Sequence, residues 1–210
     1  MEFGRPFATV TPTLDGDVLA VLARDDVTFT TGQIHRILER FSEEGIRKVL
    51  SRLALQGVVH VERVGNTNAY RFNSDHLAAD AIVELARLSS IFFTRLGELL
   101  DGWETPPVYG AVFGSAVTGS MTANSDIDLL LVKQDGTADE VWSRQIGELA
   151  RTVTNWTGND ARPIEFTIAE LIDARGEPVV RDVVDRGLTV AGTRAWLLRT
   201  VGMTRRAGRR

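Results

Sequence analysis

Two aspartates interrupt what is otherwise a buried strand, and that conflict constrains this chain more than any other feature. The run 126–132 supplies Ile127, Leu129, Leu130, Leu131 and Val132 as apolar side chains, yet it also carries Asp126 and Asp128. Strand side chains alternate, so residues two apart share a face. Neighbouring carboxylates on a buried strand repel each other and lose solvation unless a cation lies between them. A divalent metal with oxygen ligands resolves the conflict most simply, and magnesium is the expected ion. Upstream, residues 108–113 form a second short apolar run that stops at Gly114-Ser115. Glycine lets the backbone approach a ligand closely, and a turn entering a helix aims N–H groups at an anion. Ser115 adds a hydroxyl donor. A phosphate cradle beside an acid pair describes a site for a nucleoside triphosphate.

Gly114-Ser115, ten intervening residues and then Asp126-Ile127-Asp128 resembles the signature of the DNA-polymerase-β-like nucleotidyltransferases, in particular the minimal members of that superfamily. The resemblance implies an NTP donor and two magnesium ions held by Asp126, Asp128 and a third carboxylate on a later strand flanked by apolar residues. Glu165, within Pro163-Ile164-Glu165-Phe166, is assigned that third role, with Asp160 in the preceding loop as the alternative. Asp126, Asp128 and Glu165 are thus the expected catalytic and metal-binding residues. Gly114, Ser115 and Ser125 are the expected nucleotide contacts. The bland alternative is a Gly-Ser turn with two surface acids on an edge strand, and a strand-edge Glu165 facing water.

The N-terminal part follows a different pattern. Residues 1–13 read as a loose lead-in. Helical spacing then predicts a helix from Leu14 to about Leu22, a second capped by Thr31, and a third over 43–56 capped by Ser42. The third has Ile46, Val49, Leu50, Leu53 and Leu55 as its core stripe. Residues 58–72 alternate about the turn Gly65-Asn66-Thr67-Asn68, which predicts a β-hairpin. Three helices and a hairpin resemble a winged helix-turn-helix. That resemblance makes 43–56 a recognition helix and double-stranded DNA a partner, with Arg47, Lys48 and Arg52 on the helix and Arg63 and Arg71 on the wing as DNA contacts. Solvated surface charge is the plain alternative, and Glu43, Glu44 and Glu62 dilute any positive patch.

Residues 76–101 read as one long amphipathic stretch, with a homodimer seam or burial against the sheet to explain its apolar width. The expected divisions are 1–75, 76–107, 108–193 and a basic tail at 194–210. The expected fold class is α+β: a small mixed-sheet nucleotidyltransferase domain preceded by a winged helix-turn-helix.

At 210 residues the chain suits one large domain or two small ones. A net charge of −4 argues against broad nonspecific nucleic-acid binding. Cysteine is absent, which excludes disulfides and thiolate metal sites. No apolar run approaches the roughly 20 residues of a membrane helix, and the first residues lack a signal-peptide pattern, so cytoplasm is the expected location. Three functions are compatible with these features: an active nucleotidyltransferase, a nucleotide-sensing transcriptional regulator, and an antitoxin whose acceptor is a toxin protein or a tRNA.

Overall fold

The computed structural model describes residues 1–202. It separates into two compact units, one of Glu2 and residues 4–89, the other of Met1, Phe3 and the described residues from 90 onward. Residues 203–210, the end of the expected basic tail with Arg205, Arg206, Arg209 and Arg210, lie outside the described residues. None of the described helices is long and apolar enough to cross a membrane.

The first unit begins with a 3-10 turn at Pro6–Thr9, which buries Phe7. The elements that follow are α1 (Leu14–Leu22), β1 (Phe29–Thr30), α2 (Thr31–Ile37), α3 (Glu43–Leu55), β2 (Val59–Val64), β3 (Thr67–Phe72) and α4 (Ala79–Ala86). The three strands form an antiparallel sheet in the order β1-β3-β2. Thr30, one residue earlier than expected, caps α2: its hydroxyl accepts from Gln33 N–H, and the Gln33 side chain accepts in return from Thr30 N–H. Ser42 caps α3 through Gly45 N–H at 3.1 Å. The core joins Val18, Leu22, Ile34, Ile46, Leu50, Val59 and Tyr70. Leu55 does not join that stripe; it is 89% exposed. Asp17 is buried and ion-paired to both Arg5 and Arg40, which ties the lead-in and the α2–α3 loop to α1. The first 13 residues are therefore ordered by buried aromatics and a buried ion pair, not loose.

The stretch 76–101 is two helices. α4 ends at Ala86, with Arg87 as its C-cap, and packs in the first unit's core, whereas α5 (Leu88–Asp101) buries Phe92, Leu96 and Leu100 in a different one. Phe3 meets Phe92 in a tilted contact and Phe93 edge-on, at 4.8 and 5.4 Å between ring centroids, so burial within the second unit explains much of the aromatic width there.

The second unit continues with β4 (Tyr109–Phe113), α6 (Ser115–Thr118), β5 (Ile127–Lys133), α7 (Asp139–Thr157), β6 (Ala161–Thr167), α8 (Ile168–Asp173), α9 (Pro178–Arg186), β7 (Leu188–Ala191) and α10 (Arg194–Thr200). The sheet is mixed, in the order β6-β5-β4-β7. β5 runs parallel to β6, whereas β4 is antiparallel to both β5 and β7. Alternation along β5 builds two cores. Ile127, Leu129 and Leu131 pack with Trp142, Ile146, Leu149 and Val153 of α7. Leu130 and Val132 pack with Leu171, Val180, Val183 and Leu197 of α8, α9 and α10. Each fully buried Leu or Val contributes about 1.5–3 kcal/mol relative to exposure, so the parity of β5 is firmly set. α10 buries Leu197, so Arg194–Thr200 belongs to this packed unit and not to a tail.

Candidate active site

The parity that packs β5 also sends Asp128 to the α9 face, with Asp126 just ahead of the strand. Phe113, the last residue of β4, pairs with Asp128, so Gly114 turns away directly beside that carboxylate. Gly114 has φ +67° and ψ −143°, and a Cβ built there would meet Asp128 Oδ2 at 2.6 Å. Any other residue would be strained in the backbone and in collision with the acid. Ser115 is the first residue of the single-turn helix α6. Ser125 is engaged inside the loop: its Oγ accepts from Thr122 N–H at 3.0 Å and shares a hydrogen bond with the Thr122 hydroxyl at 3.1 Å.

Burial pushes the Asp128 carboxyl above its ordinary range. The Asp126 charge adds to this, Arg162 opposes it, and Asp182 raises it further. Asp126 is half-buried and pairs with Arg162 Nη2 at 2.9 Å. Arg162 comes from β6, where it stands in register with Asp128. Asp182, on α9, is 19% exposed. Its Oδ2 accepts from Gly114 N–H at 3.3 Å, and its Oδ1 accepts from Arg186 Nε at 2.7 Å.

Glu165 is not in this cluster. It pairs with Leu131, three positions along β5 from Asp128, so the two acids lie on opposite faces and about 10 Å apart along the strand. There Glu165 Oε2 accepts from Trp142 Nε1 at 2.7 Å and satisfies an indole N–H that would otherwise be buried unpaired. The acid-in-apolar pattern is real, but Glu165 is exposed on the edge strand β6, on the α7 side, where it receives the Trp142 indole. Asp160, the alternative, is exposed and sits one residue before β6, where its carbonyl accepts from Ile127 N–H at 2.8 Å. Among the described residues, no three His, Asp or Glu side chains converge as a metal-holding group. Glu165 therefore stands apart from the aspartate pair, which has Arg162 and Asp182 as neighbours. Asp182 carries no signal in the sequence beyond being one acid on an amphipathic helix.

The expected DNA contacts divide differently. Arg47 pairs with Glu44 at 2.7 Å and with Glu43 at 3.7 Å, and Lys48 pairs with Glu44 at 3.9 Å. Arg52 pairs with Asp15. Arg71 holds Asp26 through two hydrogen bonds of 2.7 and 2.6 Å, which lower the Asp26 carboxyl's pKa. Arg63 donates to the Gly65 carbonyl at 3.2 Å. Arg47 and Arg63 line a cleft of about 660 Å³ with Thr30, Glu43, Asn66 and Asn68, whereas Lys48, Arg52 and Arg71 are not part of its lining.

No protein-family model and no curated protein matches this chain. Three solved structures resemble it over about half its length. A toxin–antitoxin complex with AMP-PNP is 20% identical over 52% of this chain and 81% of its own, with a TM-score of 0.40. A mutant of the toxin–antitoxin pair MntA–HpeT is 19% identical over 53% and 85%, with a TM-score of 0.38. A tri-AMPylated Shewanella oneidensis HEPN toxin in complex with MNT antitoxin is 19% identical over 55% and 85%, with a TM-score of 0.35. Likeness of that degree fixes neither a fold nor an activity.

Proposed function

We propose that this chain is a metal-dependent nucleotidyltransferase that moves an NMP from an NTP to an acceptor, and that its N-terminal unit binds double-stranded DNA. The observation that most supports the reading is the glycine turn closed onto Asp128, with Asp126 just ahead of the strand. A divalent cation fits this pair. The two carboxylates are close, burial and mutual repulsion hold Asp128 above its ordinary range, and the cation paired with Asp126 is an exposed arginine. When bound, magnesium supplies the charge that lets a triphosphate approach two acids.

The chain's own groups do the rest. Gly114, lacking a Cβ, lets the turn close against Asp128. Arg162 offers a planar set of donors to phosphate oxygen once Asp126 is otherwise engaged. In the reaction the acceptor oxygen bonds to the α-phosphorus. The bond from that phosphorus to the β-bridging oxygen breaks, pyrophosphate leaves, and the acceptor's proton ends in solvent. The acceptors implied by the superfamily resemblance, a toxin protein or a tRNA, are the first to offer, which would make the chain an antitoxin. For the N-terminal unit, the order α1-β1-α2-α3-β2-β3 with a three-stranded antiparallel sheet supports a winged helix-turn-helix.

A nucleotide-sensing regulator that performs no chemistry is the second reading. One observation favours it: Arg162, rather than an acid, stands beside Asp128 in the neighbouring strand. Label at the α-phosphate separates the two. The enzyme transfers it to an acceptor and releases pyrophosphate, Asp126→Asn or Asp128→Asn abolishes transfer, and Glu165→Gln retains it. An Asp126→Asn protein that transfers label as the wild type does would end the catalytic reading.

A further inference from the structure

Asp126 stands one residue ahead of β5, so the strand ladder does not by itself fix its direction. What fixes it is the segment between α7 and β6. Asn159 is 2% exposed, the most buried polar residue among those described. Its Nδ2 amide donates to the carbonyls of Thr122 at 3.3 Å, Ala123 at 3.2 Å and Ser125 at 2.8 Å. Its Oδ1 accepts from the Met1 amino group, and its backbone N–H donates to Thr157 Oγ1 at 3.2 Å. The next residue, Asp160, accepts from Ile127 N–H through its carbonyl at 2.8 Å. The Ser125 carbonyl and the Ile127 N–H, on either side of Asp126, are thus both held by the dipeptide Asn159-Asp160. Three carbonyl oxygens converging on one buried point require a donor, and asparagine brings two amide hydrogens and an acceptor on a short, rigid side chain.

We infer that Asn159 is a positioning residue for the acidic pair: its amide locks the backbone of residues 122–126 and so sets the direction in which Asp126 presents its carboxylate beside Asp128. This rests on the reading of that pair as a cation site. It differs from a role in folding alone because the clamp acts on the one acid of the pair that lies outside the strand. Groups that orient metal ligands from behind characteristically change metal affinity about 10–100-fold when removed.

Manganese alone is the probe, with free Mn2+ read by electron paramagnetic resonance and backbone exchange of residues 122–127 read by mass spectrometry. Asn159→Ala, at a temperature where circular dichroism shows it folded, is expected to bind Mn2+ at least tenfold more weakly and to exchange faster over 122–127. Val153→Ala, which trims the core face of α7, is the stability control and is expected to keep wild-type Mn2+ affinity. If Asn159→Ala does not fold, Asn159→Ser keeps one donor and is expected to show a smaller loss in the same direction. A folded Asn159 variant that binds Mn2+ as tightly as wild type overturns the positioning role and leaves the cation site standing. A wild-type protein that does not bind Mn2+ removes both.

Discussion

The two units treat charge in opposite ways. In the second unit, Asp126, Asp128 and Asp182 gather near one glycine turn, with Arg162 and Arg186 as partners. The net result still leaves the Asp128 carboxyl above its ordinary range. In the first unit, most basic residues of α3 and the wing are matched to carboxylates: Arg47 to two, Lys48 and Arg52 to one each, and Arg71 to one through two hydrogen bonds, while Arg63 donates to the Gly65 carbonyl. A set of groups left under-compensated at an electrostatic cost is what a ligand site looks like before its ligand arrives. A set of cations already satisfied is what an ordinary solvated surface also looks like, because exposed ion pairs contribute only about 0–1 kcal/mol. Charge therefore argues for a ligand far more strongly in the second unit than in the first.

The comparison breaks most visibly at Gly114. Gly114→Ala would force a Cβ toward Asp128 Oδ2 at a positive φ. It is expected to destabilise the protein by about 1–3 kcal/mol and to abolish nucleotide transfer. Chemical denaturation and the α-label assay check the two halves, and a Gly114→Ala protein with wild-type stability and activity would show that the turn is not packed on the acid.

The smallest expected effect lies on α3. A side chain reading a guanine edge is worth about 1–3 kcal/mol, but Arg47 has first to leave Glu43 and Glu44. Arg47→Ala is expected to weaken operator binding by under tenfold, with a shallower salt dependence. Fluorescence anisotropy between 50 and 200 mM salt, on DNA from upstream of the gene, measures both (the salt values are an about-physiological bracket). A much larger loss would mean that the arginine does read a base and that the matched surface is misleading.

The division into legible and hidden features follows the same physics. The two short apolar runs, the glycine break and the helix at 139–157 can be read from the sequence, because apolar periodicity is a strong local signal. With the alternating run at 58–72 they give the α+β class. Glu165 illustrates what periodicity cannot do. An acid between Ile164 and Phe166 is visibly out of place, but the face it points to depends on a register with β5 set by packing far away in sequence. The break at Arg87 is hidden because apolar positions continue in helical phase across it while the partner core changes. Asn159 reads as a helix stop, and nothing local reveals that three carbonyls from residues 122–125 surround its amide. Asp182 is brought to the site only by the packing of α9 on the sheet. Leu55 is out of phase with the stripe: two residues past Leu53 and five past Leu50, it lies on the opposite side of α3 and is exposed.

The central claim is that Asp126 and Asp128 are held together at a cost that a divalent cation removes, and thermal melting at several pH values tests it directly. Asp128 titrates above its ordinary range in the folded chain. Its favourable contribution is therefore present below the unfolded carboxylate pKa and is lost as pH rises through the folded value. Near pH 7, without divalent cations, Asp128→Asn should therefore melt at a higher temperature than wild type, and the gap should close as the pH falls toward the ordinary carboxylate range. Added magnesium should raise the wild-type melting temperature at pH 7 and leave Asp128→Asn nearly unchanged. A wild-type protein indifferent to magnesium, together with an Asp128→Asn variant less stable at pH 7, would contradict the account.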